Sequence, residues 1–114
     1  MGIKLWIDDV RPAPDGYVWC KSTNEAIHFL EQWLIFANHT WICMRVPATF
    51  PTIELIDIDY DAGEFASDGG DYVKVLDWLE YQLLSFPIHI HSMNPVGVEN
   101  MRRIIQRNGW REMK

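Results

Sequence analysis

Positive charge is scarce in this chain. Its 10 Lys and Arg stand against 16 Asp and Glu, a formal net charge of −6 over 114 residues. The shortage argues against broad contact with a nucleic-acid backbone, which needs clustered cations. It leaves room for a small phosphate-bearing ligand, because one metal ion or arginine reverses the field within a single pocket. Cysteine is equally rare: Cys20 and Cys43 are the only two, and they form no C-x-x-C pair. A disulfide framework is therefore not expected, and a reduced, cytoplasmic protein is. No apolar run reaches the roughly 18 residues of a membrane span, and the N-terminus lacks the basic segment and apolar stretch of a signal peptide. Internal repeats and low-complexity tracts are also missing.

What is present is apolar and aromatic. At 48% hydrophobic and 13% aromatic residues, the chain can build a core as a single domain over 1–114 without disulfides or structural metals. Ile3 to Ile7 and Tyr17 to Cys20 read as strands, joined by a loop containing Pro12, Pro14 and Asp15-Gly16. Ser22-Thr23-Asn24-Glu25 is a capping box, followed by a helix with Ala26, Leu30 and Trp33 on its apolar stripe. Residues 37–52 are expected to form an irregular insertion, with an edge strand over Trp41–Val46 broken by Pro47 and Pro51. A strand over Ile53–Ile58 follows. The next helix is capped by Asp71 and carries Tyr72, Leu76, Leu79 and Leu83. A strand over Ile88–His91 leads to a last helix with Asn94 as N-cap and Pro95 at its first position. Asn108-Gly109 is its stop signal.

Strands alternating with helical patterns predict a flavodoxin-like parallel sheet in the order 2-1-3-4, flanked by helices. The first connection, only about ten residues long, is short for a parallel crossover, which usually takes roughly a dozen or more. In such sheets ligands bind beyond the carboxyl ends of the strands, between the first and third. Asp8 and Asp9 end the first strand in "KLWIDDVRP", and Asp57, Asp59 and Asp61 end the third in "IDIDYDAG". Carboxylates gathered at one crevice cannot all stay ionised unaided. A hard divalent cation, Mg²⁺ or Mn²⁺, is the natural counter-charge. His91, Ser92 and the helix N-terminus at Asn94 border the same crevice, an arrangement suited to a phosphoryl group.

The segments "LWIDDVRP", "IDIDYDAG", "GGDYVKVLDWLE" and "HIHSMNPVGVENM" resemble those of the cyclic-phosphate processing receiver domains, a divergent branch of the response-regulator receivers. The resemblance covers nearly the whole chain apart from 37–52. It implies a receiver-like sheet without the first helix, and the fifth strand with its following lysine is expected to be lost as well. It also implies a Mg²⁺ site at Asp8, Asp9 and Asp59, with Asp59 matching the receiver phosphoacceptor. Ser92 matches the hydroxyl residue after the fourth strand, and Arg11, Asp61, His91 and Asn94 match positions typical of the branch. The histidine common between the two third-strand acids is Tyr60 here.

The function expected is a metal-dependent phosphoesterase that processes or binds a cyclic phosphate on a nucleotide or RNA end. Asp8, Asp9, Asp59 and Asp61 are the metal candidates. His91, Asp59 and Arg11 are the catalytic candidates, and Ser92, Asn94 and Arg11 would bind phosphate. The alternative is a non-catalytic receiver-like module that binds a nucleotide or a protein, with a homodimer contact through 37–52. A phosphoaccepting receiver is a third reading. Plainer roles stand beside these: a solvated turn for Asp8-Asp9, loop caps for Asp57, Asp59 and Asp61, a surface ion pair for Arg11, and a backbone-satisfied histidine at His91. A metal-binding H-x-H is conceivable there, but a structural His89 is preferred. The six tryptophans read as core and cover rather than as a stacking platform.

Overall fold

Alternation along β1 (Gly2–Ile7) sends Leu5 and Ile7 to one side and Lys4, Trp6 and Asp8 to the other. The computed structural model describes residues 2–42 and 52–114. β1 pairs in parallel with β2 (Tyr17–Cys20) on one flank and with β3 (Thr52–Ile58) on the other. β4 (Ile88–Ile90) lies beside β3, and β5 (Glu112–Met113) beside β4, giving the order β2-β1-β3-β4-β5. The expected order 2-1-3-4 holds, as does the lost helix between β1 and β2. The fifth strand, expected to be missing, is present. It spans two residues, too few for any alternation to reveal, and its pairing is set by the turn at Gly109 that follows the last helix.

Helix α1 (Thr23–Ile42) starts on the capping box: Ser22 Oγ accepts from the Glu25 amide at 3.0 Å. It runs further than the sequence predicts. Residues 37–42 continue the helix, so Trp41 and Ile42 do not start a strand. Neither glycine nor proline lies between Thr23 and Ile42, so nothing interrupts the helix over that range. The rest of the expected edge strand and most of the expected dimer contact lie outside the described residues.

A short 3₁₀ helix over Gly63–Ser67 precedes α2 (Val73–Gln82). Asp71 does not cap α2 through its side chain; its Oδ1 accepts from the Ala62 amide at 3.1 Å instead. Leu83 is also not on the buried stripe. It ends the helix in a left-handed conformation (φ 58°) and is exposed. Helix α3 (Pro95–Arg107) begins as expected, with Asn94 Oδ1 accepting from the Gly97 amide at 3.0 Å.

The core is one-sided. Leu5, Ile7, Cys20, Ile56, Ile58 and Ile88 from the sheet pack with Ala26 and Leu30 of α1, Leu76 and Leu79 of α2, and Met101 and Ile105 of α3. Right-handed crossovers moving in one direction along the sheet put all three helices on that face. The opposite face carries Lys4, Trp6, Tyr17, Trp19, Asp57 and His89, which the strand registers place side by side. Parallel sheets are usually covered on both faces. Here the short β1–β2 loop stands where a helix would lie. No helix among the described residues is long and apolar enough to cross a membrane.

Candidate active site and metal centre

The adjacent acids at the end of β1 have different surroundings. Asp8 is fully buried and Asp9 half-buried. Asp8 Oδ1 accepts from the amides of Val10 and Arg11 at 3.0 and 3.1 Å, folding "DDVR" into a tight turn. Its backbone carbonyl accepts from Trp19 Nε1 at 2.8 Å. Burial pushes the Asp8 carboxyl up, but the Arg11 and Val10 amides, together with His91, outweigh it and hold the group below its ordinary range. Asp9 moves the other way. Partial burial and the nearby carboxylates of Asp8 and Asp59 hold its proton more tightly. Gly63 packs against Asp9 Oδ2 with φ 55°, a conformation and an approach that leave no room for a Cβ.

Asp59 arrives from β3, where its amide donates to the Ile7 carbonyl at 2.9 Å and its Oδ1 accepts from the Tyr60 amide at 2.8 Å. Asp8, Asp9 and Asp59 thus each offer a carboxylate oxygen, all within 4.8 Å of one another. Three hard oxygen donors of mutually repelling charge fit a divalent cation. Asp61 does not join them. It is exposed, and both its oxygens accept from Asn94 Nδ2 at 3.3 Å. Chain direction explains this, because the strand ends at Ile58 and alternation no longer governs residue 61.

His91 is the first residue past β4, and its amide donates to the Ile58 carbonyl at 3.0 Å. Its ring bridges two acids. Nδ1 lies 2.6 Å from Asp57 Oδ1 and Nε2 lies 2.9 Å from Asp8 Oδ2. A ring hydrogen-bonded to carboxylates at both nitrogens is an imidazolium. Burial pulls its pKa down, but the bonds to Asp57 and Asp8 win and raise it. The ring also stacks on Trp6, and Trp6 Nε1 donates to the Arg11 carbonyl at 2.8 Å. Arg11 Nη1 in turn donates to the His91 carbonyl at 3.0 Å. The guanidinium is otherwise exposed. Ser92 Oγ accepts from the Asn94 amide at 3.2 Å, which shapes the entry to α3. The Tyr60 ring lies against Gly97 at the start of that helix, where a Cβ would collide with it.

The sequence matches the family described as "Cyclic-phosphate processing Receiver domain" over residues 3–107. The chain belongs to that family. No curated protein and no solved structure matches it. This receiver domain keeps the two acids after β1 and the one after β3 that receivers use for Mg²⁺. Lys114 follows β5, where an ordinary receiver has its lysine, but its Nζ pairs with Glu112 Oε2 at 3.4 Å.

Reading the residues in isolation missed the role of Asp57. Spacing places it with Asp59 and Asp61 at the crevice but assigns it no partner; it is buried and accepts from two histidines, His91 and His89. The signal was present as matched i, i+2 spacing in "DID" and "HIH", but only the register Asp57↔His89 joins them. The two histidines do not form a metal-binding H-x-H. The nitrogens that face each other are both taken by one carboxylate oxygen.

Proposed function

We propose that this domain is a metal-dependent phosphoesterase acting on a cyclic phosphate carried by a nucleotide or an RNA end. The observation that supports this best is the bridging of His91 between Asp57 and Asp8, directly beside the three-acid cluster. Asp8, Asp9 and Asp59 would hold Mg²⁺ or Mn²⁺, which supplies Lewis-acid stabilisation of charge on the phosphoryl oxygens. Arg11, exposed and tied to the His91 carbonyl, would meet the same developing charge with a planar, permanently ionised fork.

His91 is the proton donor. Both protons are held at rest, Nδ1 by Asp57 at 2.6 Å and Nε2 by Asp8 Oδ2 at 2.9 Å, and the one in the longer contact, on Nε2, is the one that would move. It passes to the ribose oxygen as the P–O bond of the ring breaks, and the proton lost by the attacking water replaces it. Ser92 and Asn94 shape the helix entrance, whose positive dipole end favours an anion. Asp61 positions Asn94 and is not assigned to the metal.

The test is product formation from 2′,3′-cyclic nucleotides and from RNA ending in a cyclic phosphate, with Mg²⁺, Mn²⁺ or a chelator. A linear phosphate product that disappears on chelation, and a turnover about 10²–10⁴-fold lower in His91→Gln, are expected. The same histidine favours a second reading. Both its nitrogens are already engaged and its side chain is only 9% exposed, which suits a module that binds without chemistry. Thermal stabilisation by these ligands without product would decide for that module.

A further inference from the structure

His89 occupies a strand position that packing does not require. It lies on the sheet face opposite the core, with its side chain 35% exposed, so packing against the core does not account for it. Its ring is nevertheless fixed in place. Nδ1 lies 2.8 Å from Asp57 Oδ1, the same oxygen that His91 Nδ1 approaches to 2.6 Å.

Asp57 needs such a partner. Its side chain is 9% exposed, and a buried carboxylate is costly unless hydrogen bonds hold its charge. The only donors to its side chain that the described residues show are the two imidazoles. His91 is shared, because its other nitrogen serves Asp8. His89 belongs to Asp57 alone. The cross-strand register Asp57↔His89 sets the pair side by side, so the contact costs no loop distortion. Take the His89 donor away and the carboxylate loses half of those contacts. Its rotamer is then restrained only by the ring it is meant to orient.

We infer that His89 is a positioning residue: its Nδ1–H clamps Asp57 Oδ1, and Asp57 so held fixes the plane and the Nε2 direction of His91. The effect on turnover rests on the phosphoesterase reading above; the clamp itself does not. Residues that orient a catalytic group commonly change rate without touching substrate.

The experiment compares His89→Leu, which fills the space without a donor, with His89→Asn, whose Nδ2 reproduces the Nδ1 donor. NMR of the imidazole protons and nitrogens of His91 reads the clamp directly. In the unsubstituted protein the His91 Nδ1–H resonance should lie far downfield, as its short contact to Asp57 demands. In His89→Leu it should move upfield and exchange faster with water, and in His89→Asn it should return. Turnover of a 2′,3′-cyclic nucleotide should fall about 10–100-fold in kcat with KM unchanged in His89→Leu, and should recover in His89→Asn. A His91 signal indifferent to His89→Leu would overturn the clamp. So would equal impairment of the Leu and Asn variants. If the unsubstituted protein turns over no cyclic phosphate, the phosphoesterase reading falls, while the resonance still decides for or against His89.

Discussion

His91 lies flat against the indole of Trp6, with ring centroids 3.9 Å apart and planes 5° from parallel. The same indole donates through Nε1 to the Arg11 carbonyl. One side chain of β1 therefore supports both the cation between the acids and the turn that carries the exposed guanidinium. Trp6→Phe keeps a ring face and loses the donor, and should cost about 1 kcal/mol. Trp6→Ala loses the stack as well and should cost about 3 kcal/mol. Urea unfolding of the two variants separates these effects.

The protonated state of His91 makes stability depend on pH in a defined direction. Its folded pKa is raised, so the stability it contributes is fully present below its unfolded value of about 6.5 and fades as pH rises through the folded value. Asp8 acts oppositely. Its folded pKa is lowered from 3.8, so its contribution is present above that value and fades as the solution becomes more acid. The stability gap between the unsubstituted protein and His91→Gln should be widest between about pH 4 and 6.5 and should narrow toward alkaline pH. Denaturant titrations at a series of pH values, with chelator present, check this.

Asp9 carries a like-charge penalty when the cluster has no cation. Because its proton is held more tightly in the fold than outside it, its ionised form opposes folding at neutral pH. In chelator, Asp9→Asn should melt at a higher temperature than the unsubstituted protein. Adding Mg²⁺ or Mn²⁺ should reverse the order, because the substituted cluster keeps only two carboxylates. For the intact site, cation at 100 times its Kd adds about 2.7 kcal/mol. An equal rise in melting temperature for both proteins would rule out Asp9 as a ligand.

Burial pushes the Cys20 thiol up to about 12, and a thiol in that state reacts slowly. Alkylation at neutral pH followed by peptide mapping should leave Cys20 unmodified in the folded protein. It should be labelled fully in denaturant. Prompt labelling of the folded protein would mean that the α1–sheet contact around Ala26 opens readily.

Much of the frame could be read from local patterns. The capping box at Ser22, the Asn94-Pro95 start and the alternation in β1 and β3 each have a short-range physical cause. So the elements and the meeting of Asp8, Asp9 and Asp59 followed from them. Two kinds of feature did not. Glu112–Met113 is too short to show a period and is defined only by the edge of β4. The chain Asp8–His91–Asp57–His89 depends on which residues face one another across strands, and spacing along one strand cannot carry that information. Asp61 shows the converse error, since its i, i+2 relation to Asp59 stops meaning a shared face once the strand has ended.

The missing helix between β1 and β2 has a consequence for hydration. A helix laid over β1 and β2 would cover Trp6, the indole on which His91 stacks. On the same face solvent reaches His89, one strand from the sheet edge, while His91 stays sheltered under the indole. Water therefore meets this polar network from the flank of the sheet as well as from the strand tips, and substitutions along that flank can change the chemistry at the tips without touching an acid there.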